Sequence, residues 1–122
     1  MDDGKLGKSY PDGEVIVREG EVGDRMFIVQ SGRVRITRVA NGVEVVLNEL
    51  KEGDFFGEMA LIEREVRSAT VRAAGEACLL SIDKKSFLRR VHEDPSLAYR
   101  ILERMSKRVR ELTIELAHLK SN

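Results

Sequence analysis

Residues 54–73 read DFFGEMALIEREVRSATVRA, and the order of groups in that stretch decides how the rest of the chain is read. Gly57 and Glu58 stand before a short helical run, Met59 to Ile62; Arg67 follows Glu58 by nine residues, and SATVRA behind it has strand character. Gly57 lets backbone come close to an anion, and the first N–H groups of the short helix, at Met59 and Ala60, point outward with the positive end of its dipole. Arg67 adds a permanent planar cation able to grip two phosphate oxygens at once. The small pair Ser68-Ala69 after it leaves room for a ligand to approach the backbone. Glu58 would repel a phosphate, so its place here makes sense if it accepts hydrogen bonds from hydroxyls of the same ligand. A sugar phosphate meets both demands. A plain ion pair between Glu58 and Arg67 is the competing reading.

Size and composition narrow the field. A chain of 122 residues makes one domain, enough to bury roughly 65% of the surface of its unfolded form. Lysine plus arginine and aspartate plus glutamate both total 21, so no overall field draws the chain to nucleic acid or to an acidic membrane. Its longest apolar runs, such as MFIV at 26–29 and MALI at 59–62, have four residues, against roughly eighteen needed to span a bilayer. MDDGKLGKSYPDG at the start holds no apolar segment of the kind a secretion signal needs, and the single Cys78 has no partner for an internal disulfide. A cytoplasmic protein without membrane contact is expected. Cys78 lies in the apolar run ACLLSI and reads as an inert core thiol.

Residues 1–9 are polar and are expected to be flexible. After them EVIVREG, RMFIVQSG, RVRITRV, VEVVLNEL, SATVRAA and EACLLSI follow as short apolar runs of strand length. Gly20, Gly23, Gly32, Asn41-Gly42, Gly53 and Gly75 fall between these runs as turns, and Asn-Gly is a strong hairpin signal. Alternation at Val34 and Ile36, and at Val43, Val45 and Leu47, gives each strand an inward face. The expected fold is mainly β with C-terminal helices: an antiparallel jelly-roll β-barrel over residues 10–82, then helices over 83–119. Asp83 caps a short helix that packs through Phe87, Leu88 and Val91, and Asp94-Pro95 ends it and starts a long one. On that long helix Ala98, Leu102, Met105, Val109, Leu112, Leu116 and Leu119 recur at alternating spacings of four and three, the seam of a two-stranded coiled coil. A homodimer through this helix is expected; folding of the whole helix onto its own barrel is the alternative.

FGEMALIEREVRSATVRA resembles the phosphate-binding cassette of cyclic-nucleotide-binding domains, the family of the catabolite activator protein, protein kinase A regulatory subunits and cyclic-nucleotide-gated channels. PDGEVIVREGEVGDRMFIVQSGRVRI at 11–36 is similar to the family's opening strands, and the likeness covers nearly the whole chain. It implies a ligand, cAMP or cGMP, with Arg67 on the cyclic phosphate, Glu58 on the ribose 2′-hydroxyl and Ser68 as a further phosphate partner. Ile36 and Leu47 would face the purine. On the long helix the likeness puts Thr113 where the activator offers a hydroxyl to the adenine of the partner subunit, and Arg108 where an arginine engages the cassette glutamate. The chain departs from the family at Arg64-Glu65-Val66, where members often carry glycine and proline, and at Leu112, where the activator has a threonine.

Enzymatic chemistry finds no footing. His92 and His118 both lie on expected helices, so the strand-borne histidine set of a metal-dependent jelly roll is missing, as are a Walker loop and a CxxC pair. No cofactor or metal is expected. The basic runs KKSFLRR and RMSKRVR sit among acids and read as solvated helix faces. Nothing after Leu119 could build a helix-turn-helix, so direct DNA contact by this chain is not expected. The resulting expectation is a regulatory sensor domain, free-standing or part of a larger regulator. The alternative is a dimerisation or scaffold module that kept the fold without the ligand.

Overall fold

The computed structural model describes residues 7–62 and 64–120. Their order is β1 (Lys8–Tyr10), β2 (Val15–Val17), β3 (Val22–Gly23), β4 (Arg25–Ala40), β5 (Val43–Lys51), β6 (Phe55–Phe56), a 3₁₀ turn (Glu58–Leu61), β7 (Glu65–Val66), β8 (Thr70–Asp83), α1 (Lys84–Glu93) and α2 (Ser96–Lys120). The chain divides into two compact units between Lys84 and Lys85.

The first unit is an antiparallel sheet ordered β1-β8-β4-β5, with β2 added to β8 and β6 to β4, beside a small β3-β7 ladder. It is mainly β, but the barrel expected from the sequence is corrected: among the described residues no ladder closes the sheet, and β1 and β5 are its edges. Two long strands replace four short ones. β4 runs through Ser31-Gly32 and β8 through Gly75, and the β4–β8 register slips between Val29 and Ser31 and again between Ser31 and Arg33. Gly32 has φ 80° and its Cα faces the Glu76 carbonyl so closely that no Cβ would fit. It is a bulge glycine, which bends a strand without ending it.

β1 pairs with Ala77–Leu79 of β8, so Lys8 and Ser9 are strand residues and not part of a flexible start; positions 1–6 of that expected segment lie outside the described residues. The Asn41-Gly42 hairpin is as expected: φ values of 53° and 78° suit a type I′ turn, and Ala40 pairs with Val43 across it.

The core comprises Tyr10, Val17, Phe27, Val29, Val34, Phe56, Val71, Ala73, Ala77 and Leu79, with Phe27 and Phe56 stacked at 5.1 Å between ring centres. Val34 is fully buried, as its alternation with Ile36 implied. The corresponding inference for β5 fails. Val43, Val45 and Leu47 are exposed: the register sets Val43 and Val45 opposite the exposed Ala40 and Arg38, and Leu47 is the extra residue where it slips. Polar groups tie this hairpin down instead. The buried Thr37 hydroxyl donates to Glu44 Oε2 at 2.6 Å, and Arg72 Nε on β8 donates to the same oxygen at 2.8 Å. The hydrogen bond from Thr37, and after it that from Arg72, holds the Glu44 carboxyl below its ordinary value. Cys78 is half-buried, with its thiol 3.3 Å from Gln30 Oε1.

In the second unit, Asp94 caps α2 as expected: Oδ1 accepts from the Ser96 N–H at 3.1 Å and from its hydroxyl at 2.6 Å. On α1, Phe87 and Val91 are half-buried while Leu88 is exposed, which narrows the packing side read from the sequence. On α2, Leu102, Val109, Leu112, Leu116 and Leu119 are between 53% and 65% exposed, while Ala98 and Met105 of the same seam are half-buried. Neither helix is long and apolar enough to cross a membrane.

Candidate functional site

Backbone ladders on both sides place Arg67. Val22 pairs with Val66 and Gly23 with Glu65 in the β3–β7 ladder. The pairing continues past β7: the Arg67 N–H donates to the Glu21 carbonyl at 2.7 Å, and the Gly20 N–H donates to the Arg67 carbonyl at 2.9 Å. Beyond that, the Glu19 N–H donates to Thr70 Oγ1 at 2.9 Å. The chain entering and leaving Arg67 is therefore fastened to residues 19–23, which limits where its side chain can reach.

That side chain is half-buried, and its Nη2 donates to the Arg25 carbonyl at 2.8 Å. Among the described residues no carboxylate lies within ion-pair distance of it. Burial pulls its pKa below the ordinary arginine value, nearby Asp24 raises it again, and Arg25 lowers it. An arginine remains a cation under such shifts. A partly buried guanidinium with one donor on a carbonyl and, among the described residues, no carboxylate in ion-pair contact can take an anion.

Gly57 borders the same guanidinium. Its φ of 79° and ψ of 14° are left-handed, and an added Cβ would lie 2.6 Å from Arg67 Nη1 and 3.1 Å from the Arg25 carbonyl oxygen. The 3₁₀ turn that follows starts one residue before the expected Met59, at Glu58. Its first hydrogen bond runs from the Ala60 N–H to the Gly57 carbonyl at 3.1 Å. The turn spends the Ala60 N–H, and among the described residues those of Glu58 and Met59 have no backbone partner. Ala60 and Leu61 are buried and anchor the turn. Glu58 is half-buried and makes no ion pair with Arg67, so the plain salt-bridge reading does not hold.

Gly57, Glu58, Met59 and Arg67 thus border one patch of the sheet unit. Ser68 and Ala69 follow directly, the first exposed and the second half-buried. Ile36 is half-buried against the core, and Leu47 is 56% exposed. The two occupy neighbouring strands where the register slips: Ile36 pairs with Asn48 and Thr37 with Val46, leaving Leu47 as the extra residue. Arg108 and Thr113 belong to α2, in the second unit, and both are exposed. The Thr113 hydroxyl donates to the Val109 carbonyl of its own helix at 2.9 Å.

The sequence reading missed two participants. Arg25 contributes a carbonyl that every residue type carries, so its identity held no signal. Gly23, read only as a turn glycine, lies beneath the Arg67 guanidinium.

The profile of the cyclic nucleotide-binding domain matches residues 7–94. The chain is 39% identical over 80 residues to a cAMP-dependent protein kinase regulatory subunit of Mucor circinelloides, covering 66% of this chain and 19% of that one. It is 37% identical over 107 residues to a cGMP-dependent protein kinase of Caenorhabditis elegans, covering 84% and 14%. The crystal structure of the Thermus thermophilus catabolite activator protein superposes with a TM-score of 0.83 at 32% identity, covering 93% of this chain and 54% of the other. The chain spans between about a seventh and about half of the length of these relatives. With the family profile matched across both sheet and cassette, the chain belongs to the cyclic nucleotide-binding domain family.

Proposed function

We propose that this domain is a regulatory sensor of cAMP or cGMP. The observation that carries the reading is Arg67: half-buried, without a carboxylate partner among the described residues, and set beside a left-handed Gly57 and the N–H groups of Glu58 and Met59. In this reading Arg67 and those N–H groups hold the cyclic phosphate, Ser68 adds a hydroxyl, and Ala69 leaves room for the ligand. Glu58 accepts from the ribose 2′-hydroxyl. It can do so because it is not consumed by an ion pair with Arg67. Ile36 and Leu47 supply apolar surface for the purine. Relatives named for dependence on cAMP and on cGMP support the ligand class and leave both bases open. The domain's output is regulation and not catalysis, in the cytoplasm.

The signal would pass to α2. The exposed apolar positions Leu102, Val109, Leu112, Leu116 and Leu119, at heptad spacing, favour a parallel two-stranded homodimer that would bury them. In that dimer Arg108 would engage the cassette glutamate and Thr113 the base held by the partner subunit, after its hydroxyl leaves the Val109 carbonyl. The same seam favours a second reading, a dimerisation module without a ligand.

Calorimetric titration with cAMP and cGMP separates the two. The protein is first unfolded, stripped of co-purifying nucleotide and refolded. Saturable binding of either nucleotide is expected; no heat with both, from a folded protein, leaves the dimerisation module as the function.

A further inference from the structure

Gly23 has no backbone reason to be glycine. Among the described residues seven glycines take positive φ, where other residues are strained, and Gly23 is not one of them. It sits in the β3–β7 ladder, where a glycine weakens a strand by adding chain freedom and contributing no side chain. What singles it out is the space above its Cα. An added Cβ would overlap Arg67 Nε, Cζ and Nη2, so the flat guanidinium lies directly on this backbone. Gly57 borders the same group at Nη1, and the Arg25 carbonyl takes Nη2. The guanidinium thus occupies a slot with a glycine on two sides.

We propose that Gly23 is a positioning residue for the anion-binding arginine: the missing Cβ is what allows Arg67 to lie where it can meet the ligand phosphate. The proposal rests on the cyclic-nucleotide reading given above. The atoms that a Cβ would displace are the far end of a flexible side chain, so alanine at 23 moves Arg67 and leaves the fold intact. The signature of such a residue is a loss of affinity out of proportion to any loss of stability, acting entirely through Arg67.

The test is a double-mutant cycle on the stripped, refolded full chain, with cAMP as the probe. Gly23→Ala should weaken binding at least about tenfold, as loss of a charge-assisted phosphate contact would, while melting within about 3 °C of the wild type. In an Arg67→Ala background the same substitution should change affinity less than about twofold, because interacting residues are non-additive. Equal losses in both backgrounds would overturn the proposal. A second readout needs no ligand. The Arg67 Nε–H resonance, assigned by its disappearance in Arg67→Ala, should move in Gly23→Ala, and an unmoved resonance would overturn the slot. If the wild type binds neither cAMP nor cGMP, the functional reading fails while this resonance still decides whether Gly23 positions Arg67.

Discussion

Gly57→Ala tests the cassette through its backbone. The wild-type φ of 79° lies in the left-handed region, where a residue with a Cβ is disfavoured by about 1–2 kcal/mol. The loss of unfolded-chain freedom on replacing glycine returns about 0.4–1 kcal/mol. Contact with the Arg25 carbonyl oxygen at 3.1 Å adds to the cost, since backbone there is held in β4 and cannot swing away. The net destabilisation is about 1 kcal/mol, or about 4–6 °C in melting temperature for a domain of this size. The same Cβ also reaches Arg67 Nη1 at 2.6 Å, so nucleotide affinity falls together with stability. Circular dichroism melts and calorimetry measure the two effects. Gly57→Asn separates them further: asparagine tolerates left-handed backbone better, so part of the stability returns, while its Cβ still crowds the arginine and the affinity does not. Melting and binding indistinguishable from wild type in Gly57→Ala would refute this reasoning.

Leu112→Asp places like charges at facing positions of the proposed seam, near its middle. Sedimentation should show a dimer for the wild type and a folded monomer for the variant, and a wild-type monomer at micromolar concentration would remove the dimer from the account. Lowering pH should destabilise the protein through two carboxyls held below their ordinary values, Glu44 chiefly by Thr37 and Asp94 chiefly by the Ser96 hydroxyl. Because both folded values are depressed, their contribution is present above the unfolded carboxylate values of about 4 and is lost as pH falls through the folded ones. Glu44→Gln should therefore flatten the dependence of melting temperature on pH below about 4.5; an unchanged slope would show that the Thr37–Glu44 bond carries no such linkage. Ser68 directly after the arginine and Thr113 on α2 resemble the adenine-binding activator, so cAMP should compete more strongly than cGMP, and the reverse ranking would assign base preference to other residues.

Much of this architecture could be read from local chemistry. Asn41-Gly42 and Asp94-Pro95 each have one favourable structural use, and both adopt it. Gly32 and Gly75 were harder: a turn and a strand bulge both call for positive φ, so the residue type does not tell them apart, and only the partner strand does. The valines of β5 alternate as an inward face would. Their exposure goes with a register that sets Val43 and Val45 opposite the exposed Ala40 and Arg38, a pairing that the strand's own residues do not encode. At the site, Gly57, Glu58 and Arg67 were legible because each residue type brings a distinct chemistry. Gly23 was not, because its contribution is an absent atom beneath a side chain distant in sequence.

The central claim is that Arg67 holds an anionic ligand. Calorimetry with cAMP on stripped, refolded wild type and on Arg67→Ala tests it most directly. The wild type should bind, and the variant should stay folded and lose at least about 1.5–3 kcal/mol, roughly ten- to 150-fold in affinity. Equal binding by the two proteins would contradict the account.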